Sequence, residues 1–125
     1  SAFSQQGDNK KYGIGVSSPR EMARLIEMLE KGQLVSAEAS QAMIAILRRQ
    51  QYTDGIGRHL DGYVVASKSG ALDALRSDVG LVTRKDEKYA LAITVDGMPK
   101  TDYSGDNVGN ILISELTGML LEKLR

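Results

Sequence analysis

The chain has 125 residues, 42% of them hydrophobic and 26% charged, with 16 basic and 16 acidic side chains that cancel to zero net charge. That length suits one domain or part of one, and the composition lacks the basic clusters of a nucleic-acid binder and the roughly 20-residue apolar run of a membrane span. Because the chain has no cysteine and one histidine, disulfides and thiol catalysis are excluded, a zinc site is disfavoured, and we expect no metal or other cofactor.

The amino-terminal third predicts a leader and a first helix. Residues 1–13 are polar, contain glycine and show no periodicity, so we expect a loose leader or a severed loop before a folded unit over 14–125. Ser18-Pro19-Arg20-Glu21 has the pattern of a capping box with proline at the first helical position. The pattern predicts a helix over 19–31, ended by Lys31-Gly32.

A second helix is predicted to follow closely. Ser36 has the side chain of an N-cap, and Arg48-Arg49 suit the negative end of a helix dipole. Two helices with so short a connection form an α-hairpin. The apolar residues that share a face of this helix are Ala39, Met43, Ile46 and Leu47.

Three runs rich in β-branched and aromatic residues predict three strands, at 63–67, 79–83 and 89–95. We expect 72–76 to be a turn or connecting segment and the charged run 84–88 to be a hairpin tip. Connections this short imply an antiparallel meander.

The third strand is apolar on both faces. Leu91, Ile93 and Val95 alternate with Ala90 and Ala92. Such a strand is covered on both sides, here with small residues under a closely packed helix.

The last segment predicts a long helix capped by Asp106, with glycines at 109 and 118 that suggest close approach to the sheet. Its expected apolar stripe comprises Leu112, Leu116, Met119 and Leu120, widened by Ile113 and Leu124. The sequence therefore predicts an α+β fold in the order α-α-β-β-β-α. In it, an α-hairpin precedes an antiparallel three-stranded meander and a long C-terminal helix packs on the sheet.

The triplet Lys68-Ser69-Gly70 follows the first predicted strand. It offers a cation, a hydroxyl and a main chain unobstructed by a side chain, which suits a carboxylate or a polarised carbonyl oxygen. Any exposed strand end can carry such a triplet, so the residues alone leave both interpretations open. The single histidine, His59, falls in a predicted loop and is interpreted as a surface or loop-pinning residue.

Five segments, taken in order and spacing, resemble the C-terminal part of class A serine β-lactamases and the related penicillin-binding D-alanyl-D-alanine peptidases. These segments are 17–25, 34–36, 47–51, 65–73 and 78–82. The resemblance covers roughly residues 13 to 125 and implies a β-lactamase/transpeptidase-like fold.

The resemblance also implies roles for the strand that carries the triplet. Lys68 would stand beside the nucleophile and hold the substrate carboxylate, and Ser69 would hydrogen-bond the same carboxylate. Gly70 would keep the strand surface clear. The N–H of Ala71 would form one half of the oxyanion hole.

Arg76 is a candidate second carboxylate anchor, because a guanidinium binds carboxylates bidentately. A salt bridge from Arg76 to Asp73 or Asp78 is the alternative interpretation.

The sequence departs from the family pattern at the nucleophile. No serine is followed three positions later by lysine, and the S-D-N triplet is interrupted in Ser104-Gly105-Asp106-Asn107. We therefore expect this chain to be the distal part of such an enzyme and to be inactive alone, because no serine ester can form without the serine.

The resemblance implies a small-molecule substrate of the β-lactam or D-Ala-D-Ala type and a periplasmic or secreted location. An unpaired third strand would require a missing N-terminal fragment or a second copy of the chain. The alternative is a non-catalytic α+β interaction or dimerisation module that binds a partner by strand addition.

Overall fold

The computed structural model describes residues 16–125 and confirms the predicted α+β order. The leader predicted over 1–13 lies outside the described residues, as do residues 14 and 15. The elements are α1 (Pro19–Glu30), α2 (Ala37–Arg48), β1 (Val64–Leu72), β2 (Leu75–Arg84), β3 (Glu87–Val95) and α3 (Val108–Leu124).

The predicted capping box starts α1. The Ser18 hydroxyl accepts a hydrogen bond from the Glu21 N–H at 3.3 Å, and the Glu21 carboxylate accepts one from the Ser18 N–H at 2.8 Å. Each bond satisfies an amide that the first helical turn leaves without a partner. The helix ends at Glu30, with Lys31 as its C-cap, and Gly32 follows in the left-handed region.

Helix α2 begins after the predicted cap, whose Ser36 hydroxyl accepts from the Ala39 N–H at 3.0 Å. Its buried residues are Ser40 and Ile44, whereas Ile46 is 58% exposed. Of the four residues predicted to share an apolar face, Ile46 is thus the exposed one, and the other three are half-buried. The small hydroxyl residue Ser40 goes inward because its Oγ donates to the Leu34 carbonyl at 2.9 Å.

The strands are longer and the turns tighter than the sequence suggested. Strand β1 continues through the Lys68-Ser69-Gly70 triplet to Leu72 instead of ending at residue 67. The connecting segment predicted at 72–76 is a two-residue turn at Asp73–Ala74, and the hairpin tip predicted at 84–88 narrows to Lys85–Asp86. Pairing with β2 extends β1 through residues whose own strand preference is weak.

The register of the first hairpin fixes the direction of the β1 main chain. Leu72 pairs with Leu75 across the two-residue turn, so that pair exchanges hydrogen bonds. Because bonded pairs alternate, Gly70 also bonds to β2, whereas the N–H groups of Ser69 and Ala71 face away from it. Within 16–125 the sheet order is β1-β2-β3, so those groups face an open edge.

Both faces of the sheet are covered, as the alternation in β3 predicted. Ala90 and Ala92 lie on the face packed by α1 and α2, and Leu91 and Ile93 lie on the face packed by α3. The core against α1 and α2 consists of Ile26, Leu29, Ile44, Ala66, Val79 and Leu81. The core on the other face consists of Ile56, Val82, Leu91, Ile93, Ile113 and Leu121.

The cap of α3 is Asn107 and not Asp106. The Asn107 Oδ1 accepts from the Gly109 N–H at 2.7 Å, and its amide donates to the Asp102 carbonyl at 2.7 Å. Asp106 instead pairs with Arg58 on the surface. The cap prediction was wrong by one residue because the aspartate and asparagine are adjacent and both have the required acceptor.

The predicted stripe of α3 was wrong in most of its members, which face outward. Leu116 is half-buried against the core, and the flanking Ile113 is buried as predicted. The buried residues are Gly109, Ile113, Ser114, Thr117 and Leu121. Met119 is 66% exposed and Leu112 40%. Small and polar side chains share the inner face with Ile113 and Leu121. The Thr117 hydroxyl donates to the Ile113 carbonyl at 2.8 Å within the helix and so needs no outside partner.

The glycine prediction for α3 holds at one position. A Cβ on Gly109 would lie 2.8 Å from the Met98 sulfur and 3.0 Å from Cγ of Arg76, so the helix start does lie close against the sheet. Gly118 has no such neighbour within 4 Å. Despite the apolar outer face of α3, none of the helices in the described part has the length and hydropathy to cross a membrane.

Replacing Asn107 with alanine tests the corrected cap. We expect Asn107→Ala to lower the free energy of unfolding by about 1–3 kcal/mol, because a buried amide loses two hydrogen bonds. Asp106→Ala is the matched control, with an expected loss below about 1 kcal/mol for an exposed ion pair. Urea denaturation followed by circular dichroism measures both. If Asp106→Ala lowered the free energy of unfolding more than Asn107→Ala, Asp106 would be the cap after all.

Candidate active site

A cleft with a volume of about 270 Å³ lies beside the open edge of β1. It brings together all of the predicted site residues, namely Lys68, Ser69, Gly70, Ala71 and Arg76. The first four are consecutive on β1, and Arg76 is directly across from Ala71 on β2. The cleft therefore follows the edge of the strand and has access to side chains on both faces.

The triplet presents its polar groups to this cleft. Lys68 is exposed, and its ammonium donates to the Ser69 carbonyl, which faces the open edge. Ser69 is half-buried and points to the opposite face of the strand from Lys68. A Cβ on Gly70 would meet nothing within 4 Å, so the main chain there is open to an approaching group.

Ala71 is exposed and its N–H faces away from β2. A main-chain donor at a strand edge is fixed by the sheet and needs no reorganisation to meet an oxygen in the cleft. Such a preorganised donor can stabilise negative charge that develops on an acyl oxygen.

Arg76 lies at the base of the cleft and is only 3% exposed. Its guanidinium donates to the carbonyls of Leu72 and Leu75, the latter at 2.7 Å, and to that of Asp102. It also stacks on Tyr103, 4.9 Å from the ring centroid. Its positive charge thus has no carboxylate partner among residues 16–125, and the alternative salt bridge to Asp73 or Asp78 was wrong.

Tyr103 forms an aromatic wall that the sequence did not predict. Its hydroxyl donates to the Asp73 carboxylate at 2.6 Å, and this hydrogen bond raises the pKa of Tyr103. The carboxylate and the Arg76 guanidinium hold the ring from two sides. Tyr52 and Asn110 also line the cleft without having been predicted, because loop and helix-end residues show no periodic signal.

Asp78 is the one carboxylate among the residues that line the cleft. It is 2% exposed, and its Oδ2 accepts from the Ile56 N–H at 2.9 Å. Burial raises the pKa of Asp78, and the amides of Ile56 and Val79, the charge of Lys68 and the Ser67 hydroxyl oppose that shift. Its position two residues after Arg76, on the same strand face, was a signal that could have identified it.

His59 is exposed and does not line this cleft. Its interpretation as a surface or loop residue agrees with that position.

Comparison with known proteins gives the site a context. The model of a family described as the β-lactamase enzyme family matches residues 2–124. A search of curated proteins finds no match.

Several solved structures share the fold. The β-lactamase from Sphaerobacter thermophilus DSM 20745 is 27% identical, with a TM-score of 0.76 over 86% of this chain and 40% of that one. PBP-A is 22% identical, with a TM-score of 0.76 over 95% of this chain and 44% of its own. The TLA-1 extended-spectrum β-lactamase is 21% identical, with a TM-score of 0.74 over 97% of this chain and 46% of its own.

A mutant of PBP-A was solved as an acyl-enzyme complex with penicillin G. The chain spans less than half the length of each of these structures.

Proposed function

This chain belongs to the β-lactamase enzyme family, and from that premise we propose that it is the C-terminal portion of a serine hydrolase that binds and hydrolyses β-lactams. The reaction would pass through an acyl-enzyme, in which a serine attacks the lactam carbonyl and water later releases the product. The acyl-enzyme of a PBP-A mutant with penicillin G supports a β-lactam as the substrate class.

One observation carries the proposal: the Lys68 ammonium, the Ser69 hydroxyl and the outward-facing Ala71 N–H share one cleft. Lys68 stands beside the nucleophile and, with Ser69, holds the substrate carboxylate. Ala71 donates half of the oxyanion hole, where one such donor typically contributes a few kcal/mol. Gly70, with open space above it, leaves room for the acyl group.

Arg76 is proposed as the second carboxylate anchor. Three of its N–H groups already bond to carbonyls. Arg76 would therefore attract a substrate carboxylate chiefly through its positive charge, which no carboxylate among the described residues neutralises, and less through hydrogen bonds. That charge, with Lys68, outweighs the single carboxylate of Asp78.

The nucleophile must come from polypeptide other than these 125 residues, because no serine here stands three positions before a lysine. We propose a periplasmic or secreted location. Related peptidases act on D-Ala-D-Ala stems, and the deacylation machinery that separates the two activities also lies elsewhere.

The partner in this proposal covers two features that the described residues leave open. Strand β3 is an edge of the sheet, with unpaired main-chain groups along one side. The outer face of α3 is apolar, with Val108 62%, Met119 66% and Leu124 56% exposed. The partner is either the N-terminal fragment of the same enzyme or a second copy of this chain. The same two features favour the second candidate function, a non-catalytic interaction module.

Incubation with a fluorescent penicillin tests the enzymatic proposal. We expect no covalent adduct on the 125-residue chain alone, and an adduct on the upstream polypeptide when both are present. In that mixture Lys68→Ala should slow acylation by about 100-fold or more, because it removes a charge that meets the substrate directly. Lys100→Ala, an exposed lysine in the loop after β3, is the control and should have no effect.

Mass spectrometry of the separated polypeptides locates the adduct. An adduct on the chain alone would refute the account of the nucleophile. Equal acylation by the Lys68 and Lys100 variants would refute the role of the triplet.

Light scattering tests the proposed partner surface. We expect the isolated chain to self-associate, and Met119→Lys together with Leu124→Lys to shift it toward monomer, because charges on the outer face of α3 oppose its burial. Val35→Lys, which makes the same change at a residue that is 96% exposed and distant in sequence, is the control. A monodisperse wild-type monomer with β3 amides protected from exchange would contradict the proposal.

A further inference from the structure

The base of the cleft contains a carboxylate that the proposed reaction does not use. Asp78 is 2% exposed, and one of its oxygens is bonded to the Ile56 N–H. The other, Oδ1, has no partner at hydrogen-bonding geometry, although the Val79 amide and the Ser67 hydroxyl lie near enough to lower the pKa. A buried carboxylate with one free oxygen is costly, since both desolvation and the unmade bond oppose it. A negative charge beneath an anion site opposes binding as well. Both the burial of this charge and its repulsion of an anion are unfavourable, so we expect a contact of Asp78 to have a role that offsets them.

The contact that Asp78 makes points to that role. Ile56 belongs to the loop between α2 and β1, and Gly55 of the same loop lines the cleft. The Asp78–Ile56 bond crosses 22 residues of sequence and attaches this loop to β2. A Cβ on Gly55 would lie 2.6 Å from the Asp78 Oδ2, so the loop approaches the carboxylate as closely as a glycine allows.

The register puts this attachment directly behind the triplet. Asp78 is opposite Ser69 in a pair that does not exchange hydrogen bonds, and in such pairs the side chains lie closest and share one face. Arg76, two residues earlier on the same face, bonds to the Asp102 carbonyl and so attaches the loop that carries Tyr103. Alternate residues of β2 thus fasten the two loop walls of one cleft.

We propose that Asp78 is a positioning residue, whose buried carboxylate holds the Gly55–Ile56 wall against β2 and so fixes the width of the cleft beside Ser69. The charged groups that line the same cleft are Lys68 on β1 and Arg76 on β2. Asp78 reduces their combined charge from two to one. The proposal rests on the proposed function only in taking this cleft as the site.

Nuclear magnetic resonance of the labelled 125-residue chain tests the inference without any β-lactam, so its outcome is independent of the proposed activity. In the wild type, the Ile56 amide should shift with pH in one step, with a midpoint above the ordinary aspartate value of about 4. The step reports protonation of Asp78, because the Ile56 N–H donates to its carboxylate. The midpoint lies above the ordinary value because burial raises the pKa of Asp78. Asp78→Asn should abolish the step. Asp86→Asn, a carboxylate of the exposed β2–β3 turn, should leave it unchanged.

Hydrogen exchange provides the second readout. Asp78→Ala should speed exchange of the Ile56 amide at least about tenfold over the wild type, because the amide loses its acceptor. Asp78→Asn should recover most of that protection through its amide oxygen. If Asp78→Ala does not fold, the pH titration of the Ile56 amide in Asp78→Asn still tests the proposal. An Ile56 step that persists in Asp78→Asn, or equal exchange in the alanine variant and the wild type, would overturn the proposal.

Discussion

The two-residue turn at Asp73–Ala74 determines which main-chain groups of β1 face the open edge of the sheet. It makes Leu72–Leu75 a hydrogen-bonded pair, and the alternation that follows turns Ser69 and Ala71 outward. If the hairpin closed on Ala71–Arg76 instead, that pair would exchange hydrogen bonds and the Ala71 N–H would point at β2. The oxyanion donor of the proposed function thus depends on which pair closes a turn that contacts no substrate.

Strand β2, which pairs with β1, holds the loops that line the cleft at the open edge of β1. Its side chains at 76 and 78 are buried, bear opposite charges and bond to two different loops that line the cleft. Both charges are held where water is excluded, so they bond more strongly and would be more costly to leave unpaired than on the surface. Helices on both faces of the sheet make that burial possible, since a single-layered sheet would leave one of its faces in water.

Local patterns predicted much of this fold. The Ser18–Glu21 capping box and the two-faced alternation of β3 involve neighbours in sequence, and both were confirmed. Most of the inner face of α3 was missed because close packing selects Gly109 and Thr117 over larger apolar residues at those positions. The triplet was found from residue chemistry and family resemblance. The walls of the cleft were not, because contacts such as Arg76 with Asp102, 26 residues apart, join segments with no shared pattern.

The central claim is that the main chain of β1 offers outward donors beside the Lys68 ammonium. Amide hydrogen exchange measured residue by residue in the 125-residue chain tests it most directly. The account predicts slow exchange at Lys68 and Gly70, which bond to β2, and exchange at least about tenfold faster at Ser69 and Ala71, which do not. Protection of Ala71 equal to that of Gly70 would mean that its N–H is engaged within the sheet, and would contradict the account.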